Sequence, residues 1–386
     1  MSNELLPICI AGQWRLGQGP EYTTYYPATG EAVASLNAAG SQDVEDAIQG
    51  AQKAFEESGW PQRKPHERAA VLYRIAEQIR REAEELAQLQ RLDNGKPINE
   101  TRALVASAAA TFQFFASACE TLEETLTPSR GDYLTLSIYE PMGVIAAITP
   151  WNSPVASEAQ KIAPALAGGN AVVVKPAEIT PLLALEFARI CEEAGLPKGL
   201  ISVLPGKGSV IGDLITRHPL VRRVSFTGGT SVGRHIAGIA ADKFMPASLE
   251  LGGKSPTMVL EDADLDHAVS GVLYGIFSSS GESCIAGSRL FVAESLYDTF
   301  MERLVKGAEQ LRVGDPSSEQ TQMGPLISES HRASIERYVQ KGLDEGGRLL
   351  TGGKRPAGEL YDKGSYYLPT IIDGLDNNAT ICQEEI

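Results

Sequence analysis

The sequence predicts an α/β protein built on a parallel sheet, and three observations carry that prediction. Short apolar runs at Val144–Ile148, Ala171–Val174, Ile201–Leu204 and Val224–Phe226 have the length of strands. Between them lie stretches with helical spacing, such as Leu182–Ala194 and Ser231–Ala241. Chemically distinctive residues follow each run directly. Apolar runs alternating with amphipathic helices suit strands covered on both faces. Ligands of such sheets bind beyond the carboxyl ends of the strands, so the segments after the runs are where chemistry is expected.

Ahead of the sheet, residues 41 to about 124 read as helical. Val44, Ala47, Ile48 and Ala51 recur at a spacing of three to four, as do Leu72, Ile75, Ala76 and Ile79, with arginines and glutamates opposite. A period of two then appears, Leu134, Leu136 and Ile138 alternating with Thr135, Ser137 and Tyr139, which predicts a strand with two unlike faces. From about Ser255 a second alternating region runs to the end. Within it, Gly352–Gly358 is rich in glycine and proline and reads as a connection. No internal repeat or low-complexity tract is present, and 386 residues exceed one small core, so at least two domains are expected.

With 43% hydrophobic and 22% charged residues the chain has the composition of ordinary globular proteins. Its formal net charge of -15 repels phosphate backbones and anionic lipid, so neither nucleic acid nor a membrane surface is an expected partner. A few local donors can still hold a nucleotide cofactor. Cys9, Cys119, Cys191, Cys284 and Cys382 are scattered, odd in number and without a CxxC pair, which suits free thiols in a reducing compartment. Met1–Arg15 lacks a basic stretch followed by an apolar run, and no apolar stretch is read as reaching the ~18 residues of a membrane span. A cytoplasmic location is expected. No metal site is expected either.

The segments after the strands are PWN (Pro150–Asn152), KPAE (Lys175–Glu178), FTGGTSVG (Phe226–Gly233), LELGGKSP (Leu249–Pro256) and GESCIAGSR (Gly281–Arg289). In this order and spacing the set resembles the aldehyde dehydrogenase superfamily over essentially the whole chain; QMGPLI (Gln322–Ile327) and CQEEI (Cys382–Ile386) agree. The resemblance implies a Rossmann-like parallel-sheet cofactor domain at 1–120 and 142–251. It further implies an oligomerisation β-arm at 121–141 and an α/β catalytic domain at 252–386. Family members continue past the position of Ile386, so the catalytic domain is expected to be incomplete here. The implied activity is NAD(P)-dependent oxidation of an aldehyde to a carboxylic acid, through a cysteine thiohemiacetal and thioester that Glu-activated water hydrolyses. A homodimer or homotetramer is the assembly implied for a protein whose C-terminus is complete.

Cys284 is the expected nucleophile, because a thiolate adds readily to a carbonyl and leaves a thioester that water can cleave. A lone cysteine is more often a small buried hydrophobe, and the other four keep that reading. Glu250 is the expected base for the attacking water, although a lone glutamate at a strand end is more often solvated. Asn152 is expected to stabilise the oxyanion together with the Cys284 N–H; a helix N-cap is the plainer role for it. Lys175 counts among both the catalytic and the cofactor residues.

The expected cofactor contacts are Trp151, Lys175, Glu178, Gly208, Phe226, Thr227, Gly228, Gly229, Gly233, Leu251 and Glu385. FTGGTSVG lacks the GxGxxG spacing, but it places glycines and backbone donors at a helix start, where pyrophosphate is favoured. Many relatives carry Ser at the position of Gly229, so one hydroxyl donor is missing here. Lys175 and Glu178 match the pair that holds the adenine ribose hydroxyls. A carboxylate there repels a 2′-phosphate, so NAD is preferred, while Lys175 can accept that phosphate and leaves NADP open. An ordinary surface ion pair, worth ~0–1 kcal/mol, is the alternative. Glu385 matches the family glutamate on the nicotinamide ribose.

The expected substrate contacts are Asn152, Ser153, Ser157, Gln160, Ser283 and Ile285. Ser153, Ser157 and Gln160 share one face of the helix after PWN. In relatives this face borders the aldehyde tunnel and is often aromatic or Met-rich. Small polar residues here suggest a polar or bulky aldehyde, or simply a solvated helix face. Glu282 replaces a glutamine common in relatives and is expected to be paired or turned away, since an unpaired carboxylate would raise the nucleophile's pKa. Two other readings stay open: a coenzyme A-acylating member, against which Glu250 argues, and a chain with the fold but no catalysis.

Overall fold

A computed structural model describes residues 5–129 and 131–386. The chain divides into two compact units. One comprises the described residues up to Thr24, Ala34–Leu89 and Arg102–Glu250; the other comprises Tyr25–Val33, Gln90–Thr101 and Leu251–Ile386. The assignment of residues 1–120 wholly to the first unit therefore needs correction. Tyr26 and Ala28 join a core cluster with Tyr366, and the Ile98 N–H donates to the Pro316 carbonyl at 2.8 Å. These contacts draw two early segments into the second unit, and no local sequence pattern marks them.

The first unit is organised by a five-stranded sheet in the order Ala247–Leu251, Val221–Gly228, Val144–Ile148, Ala171–Lys175, Ile201–Val203. The three pairings from Val221–Gly228 across to Ile201–Val203 are parallel. Val144–Ile148 and Ala171–Lys175 are buried along their whole length, as expected of strands covered on both faces. The covering helices include Ser41–Glu57, Pro154–Ala167, Leu182–Glu193 and Thr230–Asp242. From the central Val144–Ile148 the chain winds outward to one side and then to the other. The order thus reverses beside this strand, and crevices beyond the carboxyl ends at such a point are where ligands bind.

The helical spacings translate directly into buried faces. Val44, Ala47, Ile48 and Ala51 are buried in Ser41–Glu57, and Leu72, Ile75, Ala76 and Ile79 in Pro65–Arg81. Pro65 occupies the first turn, where its missing N–H costs nothing, and the Glu67 carboxylate accepts the Lys64 N–H at 2.8 Å. The helix Ile98–Thr121, 24 residues long, is long and apolar enough by length and composition to cross a membrane, which corrects the expectation that no segment would be. Val105, Ala108, Ala109, Phe112 and Ala116 on this helix are buried, and Phe112 stacks on Phe187 at 5.8 Å.

The alternating segment 134–139 forms a ladder only at Leu136–Ser137, paired antiparallel with Thr125–Leu126. Both of its faces are exposed, Leu136 at 59% on one and Tyr139 at 70% on the other, so the expected contrast between faces is absent. Alternation gives a strand two faces, but only packing makes one of them buried.

In the second unit Pro256–Val259 and Arg289–Val292 pair in parallel around the helix Leu265–Phe277. Asp264 caps that helix by accepting the His267 N–H at 3.0 Å. Val259, Val272, Phe300 and Leu304 form the core there. Arg348–Thr351 and Ile371–Asp373 make a separate antiparallel pair, with the Gly352–Gly358 loop following the first of them.

Candidate active site

In the first unit the segments singled out from sequence gather at the carboxyl edge of the sheet. The Thr149 N–H donates to the Lys175 carbonyl at 3.1 Å, so PWN leaves the sheet beside KPAE. Trp151 and Asn152 are half-buried. Ser153 stands at the N-cap position of the helix that follows, without a side-chain cap hydrogen bond, and Pro154 is at its first position, so the N-cap position considered for Asn152 falls to its neighbour. Ser157 on this helix is half-buried and Gln160 is exposed.

Lys175 ends its strand with only 5% exposure. Its Nζ donates to the Pro176 carbonyl at 2.7 Å, and Gly208 lies against its stem, where an added Cβ would come 3.6 Å from Lys175 Cε. Burial pushes the ammonium down to about 8, and the Glu178 carboxylate opposes that shift. Lys175, Glu178 and Gly208 therefore form one neighbourhood.

Phe226, Thr227 and Gly228 finish the next strand, and Gly229 starts the helix Thr230–Asp242 from an extended conformation. A Cβ on Gly228 would lie 2.7 Å from the Phe226 ring, whereas one on Gly229 would meet nothing within 4 Å. Residues 229–232 are exposed, so the free N–H groups of the first helical turn face open space. Gly233 is buried one turn in. An open helix start at the carboxyl edge of a parallel sheet suits the phosphates of a dinucleotide.

Glu250 is exposed and stands on the edge strand Ala247–Leu251, one residue before its end. The Lys161 ammonium acts on it electrostatically; burial holds that lysine down at about 8, against the pull of Glu250. Lys161 Nζ also donates to Ser225 Oγ at 3.0 Å. Sequence reading missed Lys161. Its signal was a charged residue three positions after Glu158 in an otherwise apolar helix, both now found buried.

The second unit carries Leu251, Ser283, Cys284, Ile285 and Glu385. Cys284 is half-buried, whereas Cys9 and Cys191 are fully enclosed; burial drives the Cys9 thiol up to about 12 and raises Cys191 as well. The loop before Cys284 makes a left-handed turn through Ser279 (φ 56), Ser280 (φ 56) and Gly281 (φ 77). Two non-glycine residues in that region cost about 1–3 kcal/mol each, so other contacts must hold them. Behind Cys284, a Cβ on Gly253 would come 3.1 Å from the Cys284 carbonyl oxygen, and the missing side chain lets the two segments approach. Ser283 lines a cavity of about 410 Å³ with Gly253, Phe277, Tyr367, Ile381 and Glu385. Ile285, expected as a substrate contact, is 80% exposed and absent from that lining. Sequence reading missed Phe277 and Tyr367, which no motif marks.

Glu385 folds back over the Gly252-Gly253 pair and accepts the Gly253 N–H, and partial burial raises its carboxyl. Glu282 turns away into the protein, as anticipated: its side chain is 4% exposed and its carboxylate accepts the Ile327 N–H at 2.8 Å. Among the described residues no group of three potential ligands could hold a metal ion.

A parallel sheet with an open helix start at its carboxyl edge is the arrangement of a nucleotide-binding α/β enzyme. Comparison with known proteins gives the family. Residues 14–386 match the aldehyde dehydrogenase family, and the chain belongs to it. It is 40% identical over 381 residues to a betaine aldehyde dehydrogenase of Bacillus subtilis, covering 98% of this chain and 78% of that protein. The NAD+ complex of an aldehyde dehydrogenase from Bacillus cereus superposes with a TM-score of 0.96 at 36% identity, over 99% of this chain and 78% of that one. A betaine aldehyde dehydrogenase from Staphylococcus aureus in complex with NAD+ gives 0.97 at 36% identity, over 99% and 76% respectively.

Proposed function

We propose that this chain oxidises an aldehyde to a carboxylic acid with NAD, by hydrolysis of a thioester on Cys284. The observation that carries the reading is the half-buried Cys284 thiol on its left-handed loop, with neighbouring Ser283 lining a cavity, while Cys9 and Cys191 are sealed in the core.

The Cys284 thiolate adds to the aldehyde carbon, forming a C–S bond and an alkoxide. The Asn152 amide and the Cys284 N–H donate to that oxygen; losing one such donor typically costs ~10²–10³ in rate. When bound, NAD supplies the acceptor for the hydride that leaves the former aldehyde carbon. What remains on the protein is a thioester. Glu250 takes a proton from water as its oxygen attacks the acyl carbon, and the C–S bond breaks to release the acid and the thiolate.

Lys175 and Glu178 would hold the adenine ribose hydroxyls, with Gly208, Phe226 and Thr227 around them. The helix start from Gly228 to Gly233 would take the pyrophosphate, with Trp151 and Leu251 beside the cofactor and Glu385 on the nicotinamide ribose. The Glu178 carboxylate favours NAD over NADP. Ser153, Ser157 and Ser283 offer polar contacts to the aldehyde, which supports a polar or bulky substrate. The exposed apolar row Leu134, Leu136 and Ile138 supports pairing with a second copy of the chain. Five free thiols support a reducing, cytoplasmic setting.

The test is a pair of variants. Cys284→Ala abolishes aldehyde-dependent NADH formation, and Glu250→Gln gives one burst of NADH followed by slow turnover. Parental rates from Cys284→Ala would overturn the reading, and unchanged steady-state hydrolysis from Glu250→Gln would remove Glu250 from it.

A further inference from the structure

The loop that bears Cys284 is gripped by ionisable side chains, Glu100 half-buried and Glu282 with its side chain 4% exposed, to which the chemistry above gives no part. Its left-handed residues Ser279 and Ser280 have φ 56 each, a conformation that L side chains rarely adopt. Glu100 grips the turn at its start: the Ser279 N–H donates to its carboxylate, at 2.9 Å from Oε1 and 3.1 Å from Oε2. Glu282 grips it at its end, accepting the Ile327 N–H at 2.8 Å, with His331 Nε2 3.7 Å away. Nearby, Lys96 is 1% exposed, and among the described residues its Nζ has no hydrogen-bond partner.

We infer that Glu100 and Glu282 are positioning residues that hold the nucleophile loop in its left-handed turn and so fix the Cys284 thiol. The inference rests on Cys284 being the nucleophile. Glu100 and Glu282 restrain the backbone before and after Gly281. Burial raises the Glu282 carboxyl, while the Ile327 N–H and Lys96 oppose that shift.

The test follows Cys284 alkylation by iodoacetamide in the full chain without cofactor, read by peptide mass spectrometry, alongside kcat and KM. Glu100→Ala should slow alkylation and lower kcat by about 10-fold, with KM for the aldehyde little changed, because a displaced reacting group costs rate before affinity. Glu100→Gln keeps an acceptor for the Ser279 N–H but loses its charge, and should be about threefold slower than the parent. Adding Ser279→Gly to Glu100→Ala should restore most of the rate, since glycine adopts the turn unaided. Parental alkylation and kcat in Glu100→Ala overturn the inference. Should that variant not fold, a parental rate in Glu100→Gln does so instead. Alkylation reads the loop whether or not the chemistry uses it, whereas an active Cys284→Ala would sink the nucleophile assignment separately.

Discussion

The Glu385 carboxylate occupies the space that a side chain on Gly252 would need: a Cβ there would lie 1.7 Å from Glu385 Oε2. The clash falls on the far end of a flexible side chain, so it can be relieved by moving Glu385 instead of the backbone. Gly252→Ala should therefore leave the unfolding midpoint nearly unchanged while raising KM for NAD about 3–10-fold, the scale of one lost hydrogen bond. Equal KM values in the variant and the parent would detach Glu385 from cofactor binding.

Lys175 gives the cofactor site a pH dependence whose sign is fixed. Burial lowers its pKa from the ordinary lysine value to about 8, so the ammonium is charged below that pH and neutral above it. NAD affinity should weaken by about tenfold between pH 7 and pH 9 as the charge-assisted contact is lost, and NADP affinity should weaken more steeply. Lys175→Arg keeps its charge throughout and should flatten the profile. Calorimetric titration at the two pH values checks this, and a flat profile for the parent would refute it.

A second ionisation near pH 8 should appear in the hydrolytic step. Below that pH the Lys161 ammonium attracts the Glu250 carboxylate, an attraction given up when Glu250 takes the proton of water. Steady-state hydrolysis should accordingly speed up through pH 8, and Lys161→Met should lack the transition. A pH–rate profile of both proteins between pH 7 and pH 9.5 decides it.

Stability in the first unit should depend on the Phe112–Phe187 stack. Phe112 is fully buried, so Phe112→Ala should cost about 3–5 kcal/mol by the usual large-to-small rule. Phe114, two residues along the same helix, is 64% exposed, and Phe114→Ala should stay within about 0.5 kcal/mol. Urea unfolding of both variants measures the contrast.

How much of this was legible in the sequence depended on whether the signal was local. Val144–Ile148 and Ala171–Lys175 were readable because burial on both faces forces consecutive apolar residues. The early pair Ile8–Ile10 and Gln13–Arg15 went unread, since three residues are too few to display a period. Alternation at 134–139 announced a strand but not its exposure, which depends on what packs against it. In the site, Cys284, Glu250 and Asn152 stood out by motif. Lys96, Glu100 and Lys161 did not, because their importance lies in long-range burial and charge. The left-handed Ser279 and Ser280 were equally silent, since serine carries no signal for that conformation.

Nothing lies within 4 Å of a side chain added at Gly229, although this residue opens the helix whose free N–H groups face outward. A serine could be installed there without disturbing a single packed neighbour. In the proposed cofactor site the grip on a phosphate is thereby separable from the integrity of the sheet, and evolution or an engineer can adjust one while leaving the other untouched.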